Sequence, residues 1–404
     1  MRVFLLGAGA SKSYGASPTG QRMPIARDFF QTFDRLDISS NPWVLQEGIL
    51  GYLTKKGVTD PHAYLRSGID IEELHSEIEA VRDAAMQSGE SPLDYYEPYR
   101  AYNELVFLFA AVINEIQNGP ESEPHRSLAR LLSPGDAIVT FNWDTLMDRA
   151  LAVETDWRVD WGYGVVPHGV FNDGWRPGRD RPSGAVSPRL VKLHGSTNWL
   201  TAYTVPDKDG HIVLSHELDP GTLHVFECAP SPYACYAGRY MAGYAPFSYG
   251  YYAPNFLEVP GRRAEEGKVI LRVRMKVPWK AEGAAPDEGL VSMPLIIPPV
   301  KQKAYGMYGG LFASLWQEAE DLLAAADEIV IIGYSFPRTD LQSNNLFLKA
   351  FTRRSSMPHV LLIDPMPERL AEKFPIEFGV TADKLSVVKD YFSENFDLAA
   401  HLTS

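Results

Sequence analysis

Residues 1–20, MRVFLLGAGASKSYGASPTG, decide how the rest of this chain is read. Val3 to Leu6 form a short apolar run that leads straight into Gly7, Gly9 and Ser11. That is the pattern of a buried parallel strand ending in a tight loop. Glycines at 7 and 9 let the backbone turn sharply and approach a ligand with no Cβ in the way, leaving amide N–H groups to face a pyrophosphate. The dinucleotide fingerprint carries a third glycine, and here Lys12 stands in its place. Taken alone, GAGAS is therefore equally a plain strand-to-helix turn, and later stretches have to decide.

Composition narrows the classes. A chain of 404 residues with 45% hydrophobic content can bury a sizeable core, as one large domain with insertions or as two domains. No run of 18 apolar residues occurs, and Met1 is followed almost at once by a strand rather than a cleavable signal, so a cytoplasmic location is expected. Cys228 and Cys235 are too few for a disulfide framework or a four-thiolate zinc ribbon, and their spacing with His224 fits no common site. No metal is expected. The net charge of −13 argues against unaided nucleic-acid binding, which needs a basic face.

Outward from the first loop, PIARDFFQTFDRL (24–36) spaces its apolar residues helically, with Pro24 at the start. Residues 37–69 read as irregular. Helices are predicted at 69–87 and at 98–119, the latter stopping at Asn118 and Gly119. A second strand–loop–helix unit follows, with a strand at Ala137–Phe141 and a helix from about Asp144. LVKLHGSTNWL gives a third strand that ends at His194 and Gly195. Between 200 and 294 helical periodicity disappears, and the tyrosine- and glycine-dense stretch 231–256 reads as apolar cover or a subunit contact. VILRVRMKV (269–277) alternates strictly, with Arg272, Arg274 and Lys276 on one face; a solvated strand face accounts for it, as would a strip for an acidic partner. From PLIIPPV (294–300) onward, strands and helices alternate through EIVIIGYS, NNLFLKAFTRR, HVLLIDP and PERLAEKF. Such alternation predicts an α/β fold with a doubly wound parallel, Rossmann-like sheet.

The expected layout is a core in three parts, 1–36, 136–200 and 295–404, interrupted by a helical insertion at 37–135 and a β- and loop-rich insertion at 201–294. If the strands are parallel in one sheet, their C-terminal ends bring Gly7, Gly9 and Ser11, then Asn142 and Asp144, then His194, then Gly333, Ser335 and Asp364 to one edge.

Four of these stretches resemble motifs of the sirtuin superfamily. GAGAS resembles that family's nucleotide loop, TFNWD its TQNID motif, LHGS the His-Gly that carries the catalytic histidine, and GYS its GTS motif. Their order and spacing also match, over residues 1–20, 136–200 and 296–370. The resemblance implies NAD as substrate, held at the pyrophosphate by Gly7, Ala8, Gly9, Ala10 and Ser11, with Gly333 and Ser335 meeting phosphates or ribose and Asp364 accepting from the adenosine ribose. It implies that Asn142 holds the nicotinamide ribose and the nucleophile, that Asp144 serves the carboxamide side or the loop itself, and that His194 is the general base. An imidazole titrating near neutrality suits that task.

The chain also departs from the deacylating members. It lacks the zinc ribbon of two Cys-x-x-Cys pairs, Phe141 replaces the Gln of TQNID, and IIPPV stands where a Phe-Gly-Glu strand is expected. Water then becomes the expected nucleophile, and the chain resembles the NAD-depleting sirtuin-like domains of bacterial anti-phage systems. That resemblance implies self-assembly or a separate regulator, such as a HerA-type ATPase or a short Argonaute; the tyrosine-rich and the aromatic helical insertions predict a homo-oligomer, and no membrane association is expected. A protein deacylase and a non-enzymatic NAD or ADP-ribose sensor are the alternatives.

Overall fold

The computed structural model describes residues 1–36, 47–88, 92–117, 119–171, 175–185, 187–202, 204–206, 212–214, 221–227, 274–275, 290–297, 310–337 and 340–403. Six short apolar runs form the central sheet: β1 (Arg2–Leu6), β2 (Ala137–Thr140), β3 (Arg189–Lys192), β4 (Glu328–Ile332), β5 (His359–Ile363) and β6 (Leu385–Val388). Every neighbouring pair is parallel, in the order β3-β2-β1-β4-β5-β6. This is the strand order of the doubly wound dinucleotide-binding fold, and the fold class expected from the sequence is the one observed. β2 and β4 are buried along their whole length, as expected of strands covered on both faces. The chain winds from β1 in one direction to β2 and β3, and in the other to β4, β5 and β6. The crevice of such a sheet opens between β1 and β4, outside their C-terminal ends.

Helices Leu146–Glu154, Gly310–Ala325, Leu341–Thr352 and Glu368–Phe378 pack on the sheet, and their apolar faces share one core with it. A second core lies within helices Glu47–Lys55, Ile71–Gln87 and Pro92–Gln117, together with Phe29, Phe30 and Phe33. Leu146, Leu200 and Ile296 belong to that second core, so it abuts the sheet domain beside the crevice. No helix among the described residues is long and apolar enough to cross a membrane.

Several expectations need correction. The first long helix begins at Phe29, not Pro24, because Asp28 accepts the Ile25 amide through Oδ1 at 2.7 Å and closes a turn over 25–28. The helix expected from Pro98 starts at Pro92 and runs through that proline, at the cost of one main-chain bond. LVKLHGSTNWL is two strands: β3 ends at Lys192, and Gly195–Ala202 enters a second, mostly antiparallel sheet. The strand expected at PLIIPPV is observed as Leu290–Ile296, and it pairs with Gly195–Ala202 in that second sheet instead of extending the central one. Of the basic strand, only Arg274–Met275 is described, as a short pairing with Leu290 and Val291; Arg272 and Lys276 lie outside the described residues. Cys228, Cys235 and the tyrosine-rich stretch 231–256 lie outside them too.

Candidate active site

The site is built where the loops after β1 and β4 cross. Gly7 N donates to Ile332 O at 3.0 Å and Gly9 N to Gly333 O at 2.9 Å, so the two backbones touch directly. A Cβ on Gly7 would sit 2.5 Å from Gly333 O, and one on Gly9 2.8 Å from Gly333 Cα. Gly333 has φ +60°, and its Cβ would fall 2.5 Å from Ala10 N. All three positions therefore require glycine for loop-on-loop packing, a role distinct from the ligand approach inferred from the sequence.

Beside this crossing lies a cavity of about 1450 Å³. Five strand ends contribute to its wall: Ala8, Gly9 and Ser11 after β1, Asn142 and Asp144 after β2, His194 after β3, Gly333 and Ser335 after β4, and Asp364 after β5. Gly7 and Ala10 are buried behind it and do not line it. The helical segment closes the opposite side through Ile71, Phe109 and Ile113.

A hydrogen-bonded chain ties the first two loops together. Asn142 Nδ2 donates to Gly7 O and to Ser11 Oγ, both at 2.8 Å, and Ser11 Oγ donates to Asp144 Oδ2 at 2.5 Å. Asp144 Oδ1 accepts the Leu146 amide at 3.1 Å, which fixes the start of the following helix. Beneath the loop, the fully buried Lys192 donates to Asp144 O at 2.5 Å and to Asp148 Oδ2 at 3.0 Å. Tyr163 also donates to Asp148 and accepts from Asn198 Nδ2 at 3.1 Å, so the buried charges are paired and hydrogen-bonded.

His194 occupies the switch between the two sheets. Gly195 has φ +76°, and a Cβ there would meet Leu295 O at 1.9 Å, so the residue after the histidine must be glycine for the chain to pass. The imidazole stands edge-on to Phe141 at 5.1 Å between centroids and is 2% exposed, although it reaches the cavity wall. Phe141, which occupies the second position of TFNWD, stacks on Tyr334 at 4.3 Å.

Sequence reasoning missed Asp340 and Tyr334. Asp340 Oδ2 lies 3.4 Å from His194 Nε2 and accepts from Tyr334 Oη at 2.9 Å. Burial, and next the Asp340 carboxylate, hold the Tyr334 phenol well above its ordinary value, so it stays protonated and donates. In sequence, an Asp just before a helix reads as an N-cap, but this side chain makes no cap bond to helix Leu341–Thr352. At the far end, Asp364 Oδ1 accepts the Met366 amide at 2.7 Å, and Arg369 donates to Ser335 O across the loop. Among the described residues no group of three His, Cys, Asp or Glu side chains is placed to hold a metal ion.

No protein-family model matches the chain, and no curated protein matches it. Among solved structures, the crystal structure of Sir2 in complex with the inhibitor EX-527, 2′-O-acetyl-ADP-ribose and a deacetylated p53 peptide aligns with 94% of this chain and 95% of that one, at 11% sequence identity and a TM-score of 0.30.

Proposed function

We propose that the chain hydrolyses NAD+ at the bond between nicotinamide and ribose, releasing nicotinamide and ADP-ribose. The observation that carries this reading is the convergence of five strand ends on one cavity at the crossing of the β1 and β4 loops. The pyrophosphate lies along Ala8–Ser11 and Gly333, the adenosine ribose at Asp364, and the nicotinamide ribose between Asn142 and His194. Both hydrogens of the Asn142 amide are engaged by Gly7 and Ser11, which leaves its side-chain oxygen to hold a ribose hydroxyl or a water.

The chemistry asks little of the protein. The C1′–N bond breaks with its electron pair going to the pyridinium nitrogen, so nicotinamide leaves neutral and needs no acid, unlike ordinary glycoside hydrolysis with its two carboxylates. Water forms the new C1′–O bond, and its proton passes to His194. Asp144 acts through the loop: it holds Ser11 and the helix start, and its own carbonyl is held by Lys192. Phe141 and Trp143 supply apolar walls to the cavity.

The same reading extends to an effector of bacterial anti-phage defence that depletes NAD in the cytoplasm. A separate regulator or self-assembly belongs to it, because an unrestrained NAD hydrolase would poison its host. The test is to incubate the pure chain with NAD, alone and with neighbouring gene products, and to quantify nicotinamide. Release that His194→Ala abolishes supports the reading. Release only upon addition of acylated peptide identifies a deacylase, and binding without turnover identifies a sensor. Release undiminished by His194→Ala refutes the proposed site.

A further inference from the structure

We propose that Asp340 is the positioning residue of His194: it fixes the proton on Nε2 and leaves Nδ1 as the basic nitrogen, with Tyr334 holding the carboxylate in place. The role rests on the reading of His194 as a base, but the imidazole can be examined directly.

Three observations converge. Asp340 is 0% exposed and His194 2%, so their 3.4 Å approach takes place away from bulk water, where a carboxylate and an imidazole act on each other strongly. Tyr334 Oη donates its proton to the same oxygen, Oδ2, at 2.9 Å, which helps to fix the carboxylate's orientation. Asp340 is itself pinned through its backbone, its N–H donating to Pro337 O at 3.0 Å and its carbonyl accepting from Ser343 Oγ at 2.8 Å. Asp340 begins a helix without capping it, and beside the rings of Phe141 and Tyr334 it faces the imidazole of His194. A carboxylate facing Nε2 selects the tautomer protonated on that nitrogen, and it stabilises the imidazolium formed when Nδ1 accepts a proton.

Ionisable groups that line the same cavity include Tyr334, which follows β4, Asp144, which follows β2, and Glu72 of helix Ile71–Gln87, whose charge acts on Tyr334. Asp340 adjoins Nε2 at 3.4 Å, and its charge favours the protonated imidazole.

The experiment uses the full chain labelled with ¹⁵N-histidine, with His194→Gln to assign the resonance. In the parent chain the ¹⁵N shifts are expected to report the Nε2–H tautomer. Asp340→Asn lowers the His194 midpoint by about one pH unit or more, since an adjacent anion raises it by that order. Tyr334→Phe raises the midpoint by a few tenths of a unit, because the carboxylate loses its other donor. In nicotinamide release, Asp340→Asn is expected to lower kcat/KM by about 10²- to 10⁴-fold and to move the acid limb to lower pH, whereas a residue that merely supports the fold would lower the rate and leave the limb in place. A parent imidazole protonated on Nδ1, or a His194 midpoint unchanged in folded Asp340→Asn, overturns the proposal whether or not the chain hydrolyses NAD. If Asp340→Asn does not fold, the parent tautomer and the direction of the Tyr334→Phe shift decide it.

Discussion

Lys192→Met tests whether the buried charge pair beneath the second loop holds the site. The ammonium is completely buried and makes two bonds, one to the Asp144 carbonyl and one to Asp148, whose carboxylate is 1% exposed. Methionine preserves the apolar stem and its volume but removes both donors. Tyr163 still donates to Asp148, but removing one partner of a buried pair costs about 3–5 kcal/mol. Replacing both partners by apolar groups avoids an uncompensated charge, so Lys192→Met/Asp148→Leu is expected to recover at least about half of that loss. Freed from Lys192, the Asn142–Asp144 loop also loses an anchor for its backbone, so NAD affinity should fall in the single and in the double variant alike. Stability is read by urea unfolding with tryptophan fluorescence and far-ultraviolet circular dichroism recorded together, affinity by calorimetry. A single variant within about 1 kcal/mol of the parent, or a double variant no more stable than the single, refutes the reasoning.

Two further predictions concern backbone packing and acid response. Gly20 and Gly333 both have positive φ, but a Cβ on Gly20 meets nothing within 4 Å, whereas one on Gly333 falls 2.5 Å from Ala10 N. Gly20→Ala should therefore cost only the left-handed penalty of about 1–2 kcal/mol, while Gly333→Ala should cost clearly more and also weaken NAD binding; equal losses in thermal unfolding would contradict the loop crossing. In helix Ile71–Gln87, burial lowers His75 to about 3 and raises Glu79 to about 7. A histidine depressed in the folded state contributes stability above its unfolded midpoint near 6.5, which is lost as pH falls toward 3, by about 1.4 kcal/mol per pH unit at most. A carboxyl raised in the folded state acts in the opposite sense, favouring the fold below about 4.5 and losing that contribution as pH rises through 7. His75→Phe should thus flatten the acid side of the stability profile and Glu79→Gln the neutral side, as read by unfolding at a series of pH values; an unchanged profile in either variant would show that its side chain is solvated in the fold.

The central sheet was readable because each strand is a short apolar run followed by turn residues, and because strict alternation with helices admits few topologies. Which sheet a strand joins was less so. Leu290–Ile296 is as apolar as β4, and its periodicity carries no record that its partner is Gly195–Ala202 rather than a parallel neighbour. β6 carries no such signature, since it is an edge strand of four partly exposed residues, too short to show a period. The candidate site divides along the same line. Asn142, His194 and Asp364 were found because strand ends in this topology share an edge, which is a property of chain order. Asp340 was not, because its relation to His194 spans 146 positions and no local pattern records it. The glycines carry the sharper lesson. Gly7 and Gly9 are answered by Gly333, some 330 residues away, so their spacing records two loops closing on each other as much as any phosphate. The ligand must then be argued from the side chains the crossing leaves facing the cavity, which is why Ser11, Asn142 and His194, and not the glycine pattern, are the residues on which a hydrolase stands or falls.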